Sequence, residues 1–190
     1  MTIHEITPDD HVFGPVDAPV TLIMYGNYEC LHCRRVYPEV AAIRRDLGAG
    51  LRFVYRHFAL SSDFPHAEVA AEAAEAAGAQ GRFWDMHEAL SLRAPSLEHS
   101  ALLAEAERLG LDVERLAADL ESRAYRAVVR ERTTRALASG VRSTPTFFVN
   151  GDYVEDPWDL DGLRAALKLA AGELSSTDYS RRAKHSLEGA

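Results

Sequence analysis

Residues 20–33 read Val20-Thr21-Leu22-Ile23-Met24-Tyr25-Gly26-Asn27-Tyr28-Glu29-Cys30-Leu31-His32-Cys33. The run from Val20 to Tyr25 is almost wholly apolar, which predicts a strand buried on both faces of a sheet. Beyond the second cysteine, apolar residues recur at helical spacing, at Val36, Val40, Ile43 and Leu47. This spacing predicts an amphipathic helix that begins at or beside Cys30.

Cys30 and Cys33 are the only two cysteines in the 190 residues. A sulfur at the start of a helix lies beside unpaired backbone N–H groups and the positive end of the helix dipole. Both favour the thiolate, which is the nucleophilic form of cysteine. Because the second sulfur lies one helical turn away, it can resolve a mixed disulfide formed on the first. The pair therefore predicts a redox-active dithiol.

Other uses of two cysteines have to be weighed against this interpretation. A zinc site normally needs four ligands, and the chain has no second cysteine pair and no zinc-finger spacing among its histidines. A purely structural disulfide would close a very short loop and contribute little through chain entropy. A non-enzymatic domain that is soft-metal-binding or chaperone-like, and that uses the two thiolates for a metal such as Cu(I) or zinc, stays open as the alternative function.

Composition narrows the class of protein. Twenty-nine acidic against twenty-one basic residues give a net charge of −8, which argues against nucleic acid or an anionic membrane as a partner. We see no apolar run long enough for a membrane span. Residues 1–10 have no signal-peptide pattern. The expected location is therefore the cytoplasm, where a lone cysteine pair is more often catalytic or metal-binding than a structural disulfide.

The order of predicted elements indicates an α/β fold. The first strand and helix are followed by a second strand at 51–56, which makes a βαβ unit with parallel strands, while residues 8–19 are expected to form a loop. Residues 65–139 are predicted to be almost entirely helical, with Asp112 capping one helix and a long helix over 122–139. A strand at 146–149, a type I′ turn at Asn150-Gly151 and a strand at 152–155 then precede a final helix capped by Asp159.

Four segments resemble the DsbA-like branch of the thioredoxin fold, a family of thiol–disulfide oxidoreductases. They are the lead-in to the first strand, two helical segments and a proline-containing turn, at residues 10–22, 70–78, 80–87 and 144–151. The resemblance implies a single DsbA-like domain over residues 10–172. Its thioredoxin core would cover about 10–64 and 140–172, the helical insertion about 65–139, and a polar tail 173–190.

The resemblance also implies roles for individual residues. Cys30 would be the attacking thiolate, Cys33 the buried resolving partner, and Pro145 a cis-proline that faces the dithiol. Thr144 would offer its backbone to an extended substrate, and Leu31 would belong to the same substrate-binding surface. His32, placed directly before the second cysteine, would stabilise the thiolate and so favour an oxidising dithiol.

Two positions depart from the pattern of that family. Leu31 stands where many members carry proline. Met24 stands where relatives usually carry a buried acid that takes the proton of the second cysteine. Either another group or water then takes this proton, or exchange is slower. Candidates include Glu29 and His57, although His57 is expected to be a histidine at the end of the second strand.

The expected activity is exchange of disulfides with protein or peptide thiols, as an oxidase, a reductase or an isomerase. No cofactor other than the redox-active disulfide and no metal is expected, and an unidentified protein would donate or accept the electrons. A glutathione transferase or isomerase relative is disfavoured, since proteins of that kind usually carry a serine in place of the dithiol.

Overall fold

A computed structural model of the protein describes residues 5–60, 62–155 and 160–173. Its strands are β1 (His11–Phe13), β2 (Val20–Gly26), β3 (Leu51–His57), β4 (Thr146–Val149) and β5 (Asp152–Tyr153). Its α-helices are α1 (Leu31–Leu47), α2 (Ala67–Gly78), α3 (Phe83–Glu88), α4 (His99–Arg108), α5 (Val113–Glu121), α6 (Arg126–Ala138) and α7 (Leu160–Ala170).

The five strands form one sheet in the order β1-β3-β2-β4-β5. Every residue of β2 is buried, as its apolar sequence predicts. Strand β4 pairs antiparallel with β2, with Met24 opposite Phe147, and β5 pairs antiparallel with β4. Outside the additional edge strand β1, the observed order of elements is the predicted β-α-β, helices, β-β-α.

The prediction of a continuous loop over residues 8–19 is wrong, because residues 11–13 form β1 and pair antiparallel with β3. Three residues are too few to show a hydrophobic period, so local sequence carried no strand signal. Gly14 ends this strand with φ +93°. A Cβ atom at Gly14 would lie 2.1 Å from the carbonyl oxygen of Leu51, so the chain requires glycine at this position.

The chain divides into two compact units. The first unit comprises residues 1–25, 38–56 and 145–190. It contains the sheet apart from Gly26 and His57, the second half of α1 and helix α7. The second comprises residues 26–37 and 57–144. The division within α1 falls at Pro38, which lies inside the helix and removes one backbone hydrogen bond there. The second unit thus contains the predicted helical insertion together with the segment that carries both cysteines.

Helix α2 is the centre of the helical unit and packs against α3, α4, α5 and α6. Its alanines are buried, because small side chains let neighbouring helices approach closely. Asp112 caps α5 as predicted, its side chain accepting from the N–H of Arg115 at 2.9 Å. The long predicted helix over 122–139 is shorter than expected. It begins at Arg126, because Arg123 adopts a positive φ of 55° and interrupts the helical path.

The chain returns to the sheet through Asn150 and Gly151, whose φ values of 47° and 97° fit the predicted type I′ turn. Strand β5 stops at Tyr153, two residues earlier than predicted. Helix α7 then packs on β4, while its predicted cap, Asp159, and most of the predicted tail lie outside the described residues. None of the described helices combines the length and the apolar character needed to cross a bilayer.

Candidate functional site

The two cysteines lie where the sequence predicts, at the start of α1. Cys30 directly precedes the helix and Cys33 is in its first turn. Both are free thiols and both are buried, with 3% and 5% of their surface exposed. The structure therefore represents the reduced dithiol.

A turn formed by Asn27 brings the chain into the helix. The side-chain oxygen of Asn27 accepts from the N–H of Glu29 at 2.9 Å, and its carbonyl accepts from the N–H of Cys30 at 3.2 Å. This Asx-type arrangement fixes the residues that precede the helix, and it leaves the first-turn amides unpaired within the helix. Those amides are the groups that lie next to the sulfur of Cys30.

The surroundings of Cys30 lower its pKa from 9.0 to about 5. The largest cause is a hydrogen bond with the side chain of Cys33, and the hydroxyl of Thr144 and the backbone N–H groups of Cys33 and His32 act in the same direction. Burial opposes them by disfavouring the charge. Donors outweigh burial, so the Cys30 sulfur is a thiolate at neutral pH.

The pKa of Cys33 is shifted in the opposite direction, well above 9.0. Burial is the main cause, and the hydrogen bond to Cys30 together with the charge of Cys30 adds to it. The Cys33 thiol therefore keeps its proton and donates a hydrogen bond to the Cys30 thiolate. The two sulfurs thus differ in protonation state at neutral pH.

Thr144 is brought to the dithiol from the far end of the helical segment. Its carbonyl oxygen lies 3.4 Å from the Sγ atom of Cys30, and its hydroxyl donates to the same sulfur. The next residue, Pro145, is buried and immediately precedes β4. The predicted site residues Cys30, Cys33 and Thr144 therefore form one cluster, and Pro145 continues directly from it along the chain.

The two residues between the cysteines are both exposed. Leu31 has 57% of its surface accessible, which is unusual for a large apolar side chain. His32 contributes its backbone N–H to the Cys30 thiolate. Arg34, the residue after Cys33, donates through Nη2 to the carbonyl of Ala94 at 2.7 Å. That carbonyl follows a π-helical turn at Ala89–Arg93.

Further contacts hold the segment before Cys30 within the helical unit. The hydroxyl of the buried Tyr28 lies 2.9 Å from Nδ1 of His87, which is fully buried in α3. The carboxylate of Glu29 accepts from the backbone N–H of His66 at 2.7 Å. Neither Tyr28 nor this contact was predicted from the sequence. No local pattern reports a contact between residues 59 positions apart.

The residues considered for the proton of Cys33 are engaged elsewhere. Met24 is buried in β2 and carries no titratable group. One oxygen of Glu29 is bonded to His66, as described above. His57 lies at the end of β3, as predicted, and its Nε2 atom is 3.1 Å from Oε1 of Glu75. That Glu29 or His57 accepts the proton of Cys33 stays a prediction.

Comparisons with known proteins agree with this geometry. The family model described as thioredoxin matches residues 6–169. A thioredoxin-like oxidoreductase from Silicibacter pomeroyi is 29% identical, with a TM-score of 0.75 over 87% of this chain and 94% of that one. The alpha-DsbA1 protein of Wolbachia pipientis is 18% identical, with a TM-score of 0.74 over 88% and 94% of the two chains. At that identity the likeness concerns the fold.

The curated relatives are longer proteins that are named as Na(+)/H(+) antiporters. The Na(+)/H(+) antiporter NhaA 1 of Salinispora arenicola is 43% identical over 166 residues, which are 87% of this chain and 25% of the antiporter. The chain thus spans about a quarter of the length of the curated relatives it matches. Fold, paired cysteines and family model agree with one another: the chain belongs to the thioredoxin family and has the DsbA-like form of its fold.

Proposed function

We propose that the protein exchanges disulfides with protein or peptide thiols through Cys30 and Cys33. The observation that carries the proposal is the opposite shift of the two pKa values, which makes Cys30 a thiolate and keeps Cys33 protonated at neutral pH. Thiol–disulfide exchange needs such an ionised attacking sulfur beside a second thiol.

In the reducing direction, the Cys30 thiolate attacks one sulfur of a substrate disulfide and the other substrate sulfur leaves as a thiolate. Cys33 then loses its proton and attacks Cys30, which closes the Cys30–Cys33 disulfide and releases the second substrate thiol. Two electrons pass from the protein to the substrate, and the reverse sequence oxidises a substrate dithiol.

We further propose that the pair is an oxidant relative to an ordinary dithiol. At pH 7, a thiol pKa of about 5 instead of 9.0 favours the reduced state by about a hundredfold. For a two-electron couple this corresponds to roughly 60 mV. In this proposal His32 acts mainly through its backbone N–H, and the direction of net electron flow depends on the partner that recycles the pair.

The exposed side chain of Leu31 is proposed as an apolar contact for the bound substrate, next to the reacting sulfur. Thr144 would accept or donate backbone hydrogen bonds to an extended peptide, and Pro145 would shape that same groove. Strand-like backbone pairing of this kind binds peptides with little dependence on sequence.

We place this activity in the cytoplasm, because both cysteines belong to the redox pair and the fold has no further disulfide that an oxidising compartment would maintain. The antiporter relatives suggest a partner class as well. A domain similar to this chain forms part of their polypeptide, and such a linkage raises the effective concentration of the two parts. We propose that cysteines of a membrane transport protein are among the substrates.

Trapping of mixed disulfides tests the proposal. A Cys33→Ala variant should retain substrate proteins on Cys30 as bonds that are cleaved by reductant, while Cys30→Ala should retain none. Purified protein should also accelerate reduction of insulin by dithiothreitol, and that acceleration should be lost in Cys30→Ala. Stoichiometric copper or zinc in the purified protein, without insulin reduction, would contradict exchange and favour the soft-metal alternative.

A further inference from the structure

A charged cleft lies on the helical unit that carries the dithiol. Its volume is about 450 Å³, and its lining includes three arginines, two glutamates and two histidines. The arginines are Arg123, Arg126 and Arg130. The cleft therefore gathers three guanidinium groups in a protein whose net charge is −8.

The arginines outnumber the carboxylates that pair with them. Glu68, which is 7% exposed, accepts from all three guanidinium groups, and the similarly buried Glu72 accepts from Arg123. The other glutamate in the lining, Glu98, is exposed. Two carboxylates thus hold three guanidinium groups, and with Glu98 the charges of the cluster balance.

The unused donors belong to Arg126 and Arg130. Among the described residues, Arg126 donates only through Nε, to Oε1 of Glu68 at 3.0 Å. Arg130 donates through Nε at 2.7 Å and Nη2 at 3.3 Å, again to Glu68. Their side chains are 44% and 54% exposed. Three Nη groups on two adjacent helical turns therefore remain for an incoming carboxylate, which guanidinium groups bind with two parallel hydrogen bonds.

The cleft is joined to the redox site through one residue. His66 lines the cleft, and its backbone N–H donates to Glu29 at 2.7 Å. Glu29 is the residue directly before Cys30. An extended peptide advances about 3.3 Å per residue. Because one side chain and one hydrogen bond join the residue before Cys30 to the cleft, we expect a peptide held at Cys30 to reach the cleft within about three to four residues.

We propose that this cleft binds an acidic side chain of the substrate, located about three to four residues from the cysteine that reacts with Cys30. The inference rests on the proposed function and adds a selectivity for acidic substrates. The net negative charge of the protein would by itself disfavour such peptides. A preference for them therefore has to arise from local donors, here the unused Nη groups of Arg126 and Arg130.

A pair of peptides tests the cleft. Each peptide has a single cysteine, present as a mixed disulfide with thionitrobenzoate. One peptide carries Glu-Glu and the other Gln-Gln at the third and fourth positions from this cysteine. Both are made in two versions, with the pair either before or after the cysteine. Attack by Cys30 on the peptide sulfur releases coloured thionitrobenzoate, so the second-order rate constant is read directly. In one of the two versions, we expect the Glu peptide to react with the native protein about three- to tenfold faster than the Gln peptide. This is the range that partly exposed charge pairs support.

The variant Arg126→Gln/Arg130→Gln should react equally with the Glu and Gln peptides. Arg135→Gln is the matched control, since Arg135 lies on the same helix but pairs with Glu131, and it should keep the preference. Should the double variant fail to fold, Arg126→Gln alone and the native protein in high salt provide the same comparison, because screening weakens contacts between exposed charges.

Equal rates for the two peptides with the native protein, or a preference that survives in the double variant, would overturn the proposed role of the cleft. In either case a Gln peptide that still reacts in a Cys30-dependent manner leaves the proposed exchange activity intact. If neither peptide reacts faster with the native protein than with Cys30→Ser, the proposed function itself fails.

Discussion

The Sγ atom of Cys30 lies 3.4 Å from the carbonyl oxygen of Thr144, although the two residues are 114 positions apart in the chain. Helices α2 to α6 all lie between them. The hydroxyl of Thr144 adds a donor to the thiolate that the first turn of α1 cannot supply. The reactivity of the first cysteine is therefore set by the helix start and by the end of the helical segment together.

Cys30 should titrate with a midpoint near pH 5, as followed by the pH dependence of alkylation or by thiolate absorbance. Replacing Cys33 by alanine removes the largest contribution to this shift and should raise the midpoint. The variant Cys30→Ala, measured in parallel, identifies the signal that belongs to Cys33. A midpoint for Cys30 near 9 would contradict the geometry of the site.

Thr144→Val should raise the pKa of Cys30 and lower the reduction potential, because the hydroxyl donor is lost while the shape of the side chain is kept. Thr144→Ser keeps the hydroxyl and should resemble the native protein. Thr134→Val, on the exposed side of α6, controls for loss of a hydroxyl elsewhere. Native pKa and potential in Thr144→Val would show that the contact is incidental.

The reduction potential should fall with pH with two slopes that meet near pH 5. Below that value, reduction takes up two protons and two electrons, so we expect about 59 mV per pH unit. Above it, Cys30 stays ionised and the slope should halve to about 30 mV. Equilibration against glutathione buffers at a series of pH values measures both slopes, and a single slope through pH 5 would refute the assignment.

The lowered pKa also makes a prediction for stability. A thiol whose folded-state pKa lies below its unfolded value stabilises the folded protein at high pH, and this contribution is lost as the pH falls toward the folded value. The reduced protein should therefore gain stability relative to the oxidised protein between pH 5 and 9. Urea unfolding of both forms across this range, with Cys30→Ser as control, measures the difference.

Tyr28→Phe should destabilise the protein by about 1–3 kcal/mol, since it removes the hydroxyl bonded to Nδ1 of the buried His87. Tyr153→Phe is the matched control, because Tyr153 is 56% exposed. Chemical denaturation should separate the two variants clearly. Equal midpoints would mean that the contact between Tyr28 and His87 contributes nothing measurable.

Gly14→Ala should lower stability more than Gly110→Ala. Both glycines have positive φ values, 93° and 70°, so both substitutions cost about 1–2 kcal/mol of backbone strain. A Cβ at Gly14 additionally meets the carbonyl of Leu51 at 2.1 Å, whereas nothing lies within 4 Å at Gly110. Thermal unfolding of the two variants isolates the steric part, and a milder effect at Gly14 would be inconsistent with the close approach.

Patterns within a few residues predicted most of the fold. The apolar run of β2 and the cap at Asp112 report local physics, and each was found where expected. The edge strand at residues 11–13 and the break at Arg123 did not follow from local pattern. Both lie where the chain contacts distant partners. Residues 11–13 pair with β3, and Arg123 binds carboxylates on α2.

The sequence by itself determined the redox pair, because the spacing of Cys30 and Cys33 at a strand-to-helix junction is a short-range property. Only the tertiary structure decided which neighbours tune that pair. The donor from Thr144 and the contact of Tyr28 with His87 join residues far apart in the chain. The arginine cluster likewise arises where α2 meets α6. Helix packing creates these environments, and no local spacing encodes them.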